Sequence, residues 1–328
     1  MKTPSLKFND VLAAHRLLAG GVRRTPVQES SSLSHAAGAQ VWFKREDLQR
    51  TGSFKERGAR HALLSLTLAE RARGVVAASA GNHAAGLAYH GAGLGVNVTV
   101  VMPVNASVLK IARCRELGAH VVLHGDDFDT AERFARAVAE ERGATYVHPF
   151  DDLRVIAGQG TVALELLEQV PNLDTVVVPV GGGGLLAGVV TVVKSLRPEV
   201  RVVAVEPQNA AGFLAACLRG GPGSATTLPT LADGLAVARV GATAFAHAAP
   251  FVDDVVTVTE DEIAAAVATL ALDHGIVAEG AGATAVAAWL SGKVGSAKSV
   301  ALPITGRNVD ADLHGRIVRR AGSFARAA

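Results

Sequence analysis

Residues 175–196 read TVVVPVGGGGLLAGVVTVVKSL. The run Thr175–Val180 is apolar, rich in β-branched residues and short, which marks a buried strand. Leu185–Leu196 has the length and spacing of a helix. Four glycines separate them. Each glycine costs roughly 0.5–1 kcal/mol against alanine in regular structure, so a run of four points to a backbone that must approach another group closely. A strand, a glycine loop and a helix N-terminus together present N–H groups to an anion. Gly181, Gly182, Gly183, Gly184 and Leu185 are therefore candidate phosphate ligands. No Lys-Ser or Lys-Thr pair follows, and no acid completes a dinucleotide fingerprint. The phosphate implied belongs to neither ATP nor a dinucleotide; the bland alternative is a flexible turn.

The same grammar runs outward in both directions. Val75–Ala78, Asn97–Met102, Val121–Leu123 and Thr145–Val147 read as strands. Helical segments between them cover Asn82–His90, a stretch from a Ser107 cap to Gly118, and Asp126–Arg142. In the last of these, Phe128, Ala131, Ala135 and Val138 share a face. Towards the C-terminus, Val202–Val205 and Val300–Ile304 are strands, and Ile263–Leu272 and Ala283–Leu290 are helices. Continuous apolar strands alternating with helices specify parallel sheets covered on both faces. Gly220–Thr230 reads as a surface loop. The expected fold class is α/β, with two domains, each an open and mostly parallel twisted sheet with helices on both faces.

Bulk composition agrees and excludes several classes. At 328 residues the chain exceeds what one core usually organises. With 49% hydrophobic and 19% charged residues it buries a large core and is not disordered. Net charge is +2 with no basic patch, so no nucleic-acid partner is expected. Cys114 and Cys217 have neither metal nor redox spacing, which fits a reducing cytoplasm. No signal peptide or membrane span is read, so the protein is expected to be cytoplasmic.

In open α/β sheets ligands sit where strands end and helices begin, and three further junctions carry unusual residues. Thr51-Gly52-Ser53-Phe54-Lys55-Glu56-Arg57 places a lysine at a helix start, where the dipole disfavours a cation. Such an amine suits a neutral or imine form, the state that Schiff-base chemistry needs. Alone, Lys55 also reads as an ordinary exposed lysine of a first turn. Ser79-Ala80-Gly81-Asn82-His83 follows the Val75–Ala78 strand, and its small residues let N–H groups reach a carboxylate; alternatively Ser79 or Asn82 is an N-cap. Thr305, in Pro303-Ile304-Thr305-Gly306-Arg307-Asn308, puts a hydroxyl at a strand end. It suits a heteroaromatic nitrogen, or bonds its own backbone.

Taken in order, KREDLQRTGSFKERGA, SAGNHAAGLA, HPFDD, GQGT, VPVGGGGLLAG, VEP, ADGLAV, EGAGA and TGRNVD span residues 44 to 310. This set resembles the fold type II pyridoxal-phosphate enzymes, in the branch of threonine/serine dehydratases and serine racemases. The resemblance implies that Lys55 carries pyridoxal 5′-phosphate as a Schiff base and is the catalytic base. It implies that Phe54 packs beside the ring, Asn82 meets the 3-hydroxyl, Gly181–Leu185 hold the phosphate and Thr305 faces the pyridine nitrogen. Ser79, Ala80, Gly81, Asn82 and His83 receive the substrate carboxylate. A large cofactor domain comprises 1–74 and 149–328, a small domain 75–148, and His148–Asp152 the hinge. The implied reaction converts threonine or serine to a 2-oxo acid and ammonia in a homodimer or homotetramer.

Departures from the branch refine this expectation. Ala80 stands where the racemases have a serine that exchanges a proton on the opposite face, so racemisation is expected to be slow or absent. The branch binds a cation through a glutamate, a carbonyl and an aspartate; here Glu206 and Ala210 match, but Gly212 replaces the aspartate. The chain ends soon after TGRNVD, so feedback control by isoleucine is not expected. Racemisation, dehydration of a hydroxyaspartate, β-replacement by a synthase and cofactor binding without turnover remain the alternatives.

Overall fold

The structure is a computed structural model and describes residues 5–325, with side chains to residue 320. Among the described residues ten strands form two sheets. They are β1 (Val27–Glu29), β2 (Gln40–Lys44), β3 (Val75–Ala78), β4 (Val98–Met102), β5 (His120–Leu123), β6 (Thr145–Tyr146), β7 (Thr175–Pro179), β8 (Arg201–Pro207), β9 (Asp254–Val258) and β10 (Ser299–Pro303). The larger sheet has the order β1-β2-β10-β7-β8-β9, and the smaller β5-β4-β3-β6. Every pairing is parallel except β1 with β2. The α/β class with two mostly parallel sheets is what the alternating pattern specified.

Both sheets are covered on both faces. Val176 and Val178 join one buried cluster and Val177 the other, as a side-chain period of two requires. In the smaller sheet Val75 and Ala77 lie in one cluster, Val76 and Ala78 in the opposite one. The helices start and stop on local chemistry. Thr259 and Glu262 form a capping box for Glu260–His274, which Gly275 ends at φ 62°. Asp152 caps Leu153–Gln169 by accepting from the Arg154 N–H.

Some details differ from expectation. The Ser107 hydroxyl makes no cap bond to helix Val108–Glu116. Ala131, Ala135 and Val138 are buried, but Phe128, at the first position of its helix, is 36% exposed. Helix Lys55–Leu64 packs Ala59, Ala62 and Leu63 into the smaller sheet's core and also lies against helix Leu153–Gln169. It therefore ties the two sheets together.

In each sheet the chain leaves one strand to opposite sides. From β7 it passes to β8, while β10 returns on the other flank. From β3 it passes to β4, while β6 returns opposite. Those crevices, beyond the carboxyl ends, are where open α/β sheets bind ligands. The glycine loop follows β7, Thr305 follows β10, and Ser79–His83 follow β3.

Candidate active site

The Thr51–Lys55 loop is stitched to the segment after β10. Phe54 N–H donates to the Thr305 carbonyl at 3.0 Å, Arg307 N–H donates to the Gly52 carbonyl at 2.9 Å, and Ser53 pairs with Gly306 in an isolated bridge. Lys55 opens its helix, and its Nζ donates to the Pro149 carbonyl at 2.8 Å. Burial pulls the amine down to about 8, and the negative charge of Glu279 only partly opposes it. Such an amine is still mostly protonated at pH 7, but its neutral, nucleophilic fraction is far larger than that of an ordinary lysine.

A buried charge cluster fixes the first turn of this helix. The Arg57 guanidinium forms paired bonds to Glu46 (2.7 and 2.8 Å) and to Glu165 (2.7 and 2.8 Å), and Lys44 Nζ reaches Glu165 at 2.7 Å. Burial alone raises the Glu46 carboxyl, but Arg57 outweighs it and holds the group at about 2. All four side chains are essentially inaccessible, and two cations balance two anions.

The glycine loop is shaped by what cannot fit beside it. A Cβ on Gly182 would lie 2.1–2.4 Å from the Phe150 ring, and one on Gly184 would lie 2.6 Å from the Phe150 carbonyl. Gly183 has φ 90°, a conformation that glycine adopts freely. Helix Gly184–Leu196 starts here, and none of its first N–H groups has a side-chain cap. Gly181 lies against the Leu235 backbone, and the Gly182 carbonyl accepts from Gly241 N–H at 3.1 Å. Pro149 touches Lys55 and its neighbour Phe150 touches the glycine loop, which brings the first and third junctions together.

Asn82 joins the remaining two. Its Nδ2 donates to Glu279 Oε1 at 2.7 Å, and its Oδ1 accepts from Asn308 Nδ2 at 2.6 Å. Burial, then the charge of Asp233, pushes the Glu279 carboxyl up to about 7. The helix Asn82–Leu94 is capped by Gly81 without a side-chain bond; Ser79 Oγ instead accepts from Gly81 N–H at 3.3 Å. Ala80 packs at the margin of the smaller sheet's core. His83 is buried, and burial together with the Lys55 charge pushes its imidazole down to about 3, so it is neutral. His83 Nδ1 and Ser53 Oγ are buried without a partner. Thr305 Oγ1 makes only a long bond, 3.3 Å, to the Ala281 carbonyl.

Glu279 enters the sequence reading only within the motif EGAGA, without a role of its own, and Arg113 is not singled out there. An acid inside an alanine-rich helix start was a legible signal for the first. Arg113 carries no such local signal, because its partners lie far along the chain. At Glu206 both carboxylate oxygens accept backbone N–H groups, from Phe213 at 2.7 Å and Leu214 at 2.8 Å. The carboxylate is a helix cap and Gly212 adds no ligand, so this donor set does not fit the implied cation. Among the described residues no group of three His, Cys, Asp or Glu side chains is placed to hold a metal.

A buried amine pulled well below the usual lysine range, a loop with room for no side chain at a helix start, and unpaired buried polar atoms fit a phosphorylated aldehyde cofactor. A family profile described as pyridoxal-phosphate dependent enzyme matches residues 18–306. The chain belongs to this family, and pyridoxal phosphate is its cofactor. It is 45% identical over 315 residues to the L-threonine ammonia-lyase of Thermotoga maritima, covering 96% of this chain and 79% of that one. Among solved structures it matches a processed threonine deaminase isoform 2 from Solanum lycopersicum, with TM-score 0.89, 36% identity, and 96% and 92% of the two chains covered. It also matches serine racemase from Dictyostelium discoideum, with TM-score 0.88, 38% identity, and 94% and 100% coverage. Among the described residues no helix is long and apolar enough to cross a membrane.

Proposed function

We propose that this chain eliminates the β-hydroxyl of L-threonine or L-serine as water; hydrolysis of the released enamine then takes up one water and frees ammonia, leaving a 2-oxo acid. The observation that carries the reading is the linkage of Lys55 and the glycine loop through the consecutive residues Pro149 and Phe150. When bound, pyridoxal phosphate supplies the electron sink that makes an amino acid's α-proton acidic.

The protein's own groups do the rest. Lys55 would hold the cofactor through its amine and, once the substrate's amine has taken its place there, the freed Lys55 amine would be the base for the α-proton. Gly181–Leu185 hold the phosphate with backbone N–H groups at a helix N-terminus. Phe54 lies beside the ring and Asn82 bonds the 3-hydroxyl. Thr305 offers the pyridine nitrogen a neutral hydroxyl, which does not force protonation as a carboxylate would. Ser79–His83 receive the substrate carboxylate, with His83 neutral. Ala80 has no proton to exchange on the second face, which favours elimination over racemisation.

The two sheets correspond to two domains, 75–148 and the remainder, with Lys55–Leu64 packed between them. A cytoplasmic homodimer or homotetramer completes the proposal. Incubation with threonine, with serine, and with O-acetylserine plus sulfide tests it. Keto acid from the first two supports the reading. Cysteine formation would assign the chain to the synthases, and no product from any would reduce it to cofactor binding.

A further inference from the structure

Arg113 and Asn308 form one hydrogen-bonded line with Asn82 and Glu279. Arg113 Nη1 donates to Asn308 Oδ1 at 2.6 Å and Nη2 to the Thr51 carbonyl at 2.9 Å. Asn308 Nδ2 donates to Asn82 Oδ1 at 2.6 Å and to the same Thr51 carbonyl at 2.9 Å. Asn82 Nδ2 then donates to Glu279 at 2.7 Å. The line starts on helix Val108–Glu116, which packs on the smaller sheet's side, and ends beside Lys55.

The direction of this line is not free. An amide has one accepting and one donating end, and either orientation fits a neutral partner. Guanidinium has donors only. Arg113 therefore requires the oxygen of Asn308 to face it, which turns the Asn308 NH2 towards Asn82. That in turn requires the Asn82 oxygen to face Asn308 and its NH2 to face the other way, where one N–H goes to Glu279 and the second has no partner among the described residues. We propose that Arg113 and Asn308 are positioning residues that set the polarity of Asn82, so that it presents a donor to the 3-oxygen of the cofactor. This rests on the role assigned to Asn82 above. Without the arginine, the Thr51 carbonyl alone holds Asn308 and Glu279 alone holds Asn82; Glu279, pushed up to about 7, can donate to an Asn82 oxygen when protonated, so the two amides can turn over together and present an acceptor that repels the 3-oxygen.

Titration of the cofactor-free protein with pyridoxal 5′-phosphate and with its 3-deoxy analogue separates this role from a general effect on folding. Wild type is expected to prefer the 3-hydroxylated ligand by about tenfold, the scale of one hydrogen bond to a partly charged acceptor. In Arg113→Met the preference should fall to near unity, and Arg113→Lys, still a pure donor, should restore most of it. Asn308→Asp keeps a partner for Arg113 but cannot donate to Asn82, so it should also abolish the preference; it serves if Arg113→Met does not fold. A wild-type preference persisting in Arg113→Met and Asn308→Asp, or proportional weakening of both ligands, overturns the inference. So does equal affinity in wild type, which leaves the proposed function standing. Failure of wild type to take up either ligand instead overturns the proposed function.

Discussion

Gly182→Ala is a severe test of the phosphate loop because the added methyl has nowhere to go. Its Cβ would sit 2.1 Å from Phe150 Cγ and 2.2 and 2.4 Å from the two Cδ atoms. Carbon atoms pack at about 3.5–4.0 Å, so ring or loop must retreat by roughly 1.5 Å. The ring has little room: His148 meets it edge-on at 4.5 Å between centroids, and Gly184 abuts the Phe150 backbone. The loop therefore moves, and the N–H groups proposed to hold the phosphate lose their alignment. Overpacking of this kind costs about 1–3 kcal/mol of stability. Losing two charge-assisted bonds of about 1.5–3 kcal/mol each weakens pyridoxal phosphate binding by roughly 10²–10⁴-fold. The assay is titration of the cofactor-free protein with pyridoxal phosphate and with pyridoxal, which lacks the anion. Affinity for pyridoxal should change little, and Phe150→Ala in the same chain should recover much of the loss. Wild-type affinity for the phosphorylated ligand in Gly182→Ala, or equal loss for both ligands, refutes the reasoning.

Cofactor capture should depend on pH through Lys55. Its amine is lowered from the usual 10.5 to about 8, so the neutral, reactive fraction grows as pH rises through about 8. The capture rate, followed by absorbance, should rise over that interval and level off above it, and a flat profile contradicts the assignment. Lys44→Met strips the buried Glu165 of one cation and should cost about 3–5 kcal/mol in urea unfolding; a change under about 1 kcal/mol means the cluster relaxes. Because Glu206 already caps a helix, exhaustive treatment with EDTA should move the melting temperature by less than about 1 °C, since only ligands that bind the folded state shift it. Ala80→Ser should raise D-serine formation relative to pyruvate on chiral analysis; racemisation by the wild type as fast as its elimination removes the argument from Ala80.

The strands that read as unbroken apolar runs, such as Val75–Ala78 and Thr175–Val180, were legible because burial on both faces leaves only one kind of side chain. β2 was not, since Gln40–Lys44 ends in a lysine, and its burial is explained by the Thr25 carbonyl together with Glu165 and Gln169, the last two more than 100 residues away. β1 is three residues long and half exposed, too little for a pattern. At the site, each junction was readable from its local chemistry. What joins them was not: the Phe150 seat under the glycines, and the line from Arg113 to Glu279, are contacts between distant segments that no window of sequence contains.

Pro149 and Phe150 have a consequence beyond contact. Consecutive Cα atoms stand 3.80 Å apart across a trans peptide, and this one peptide abuts both the amine and the cradle proposed above to grip the two ends of the ligand. It acts as a gauge block. On the proposed assignment, a ligand of different length between aldehyde and anion would have to displace a covalent spacer, so the pocket would measure its guest's span before any chemistry begins.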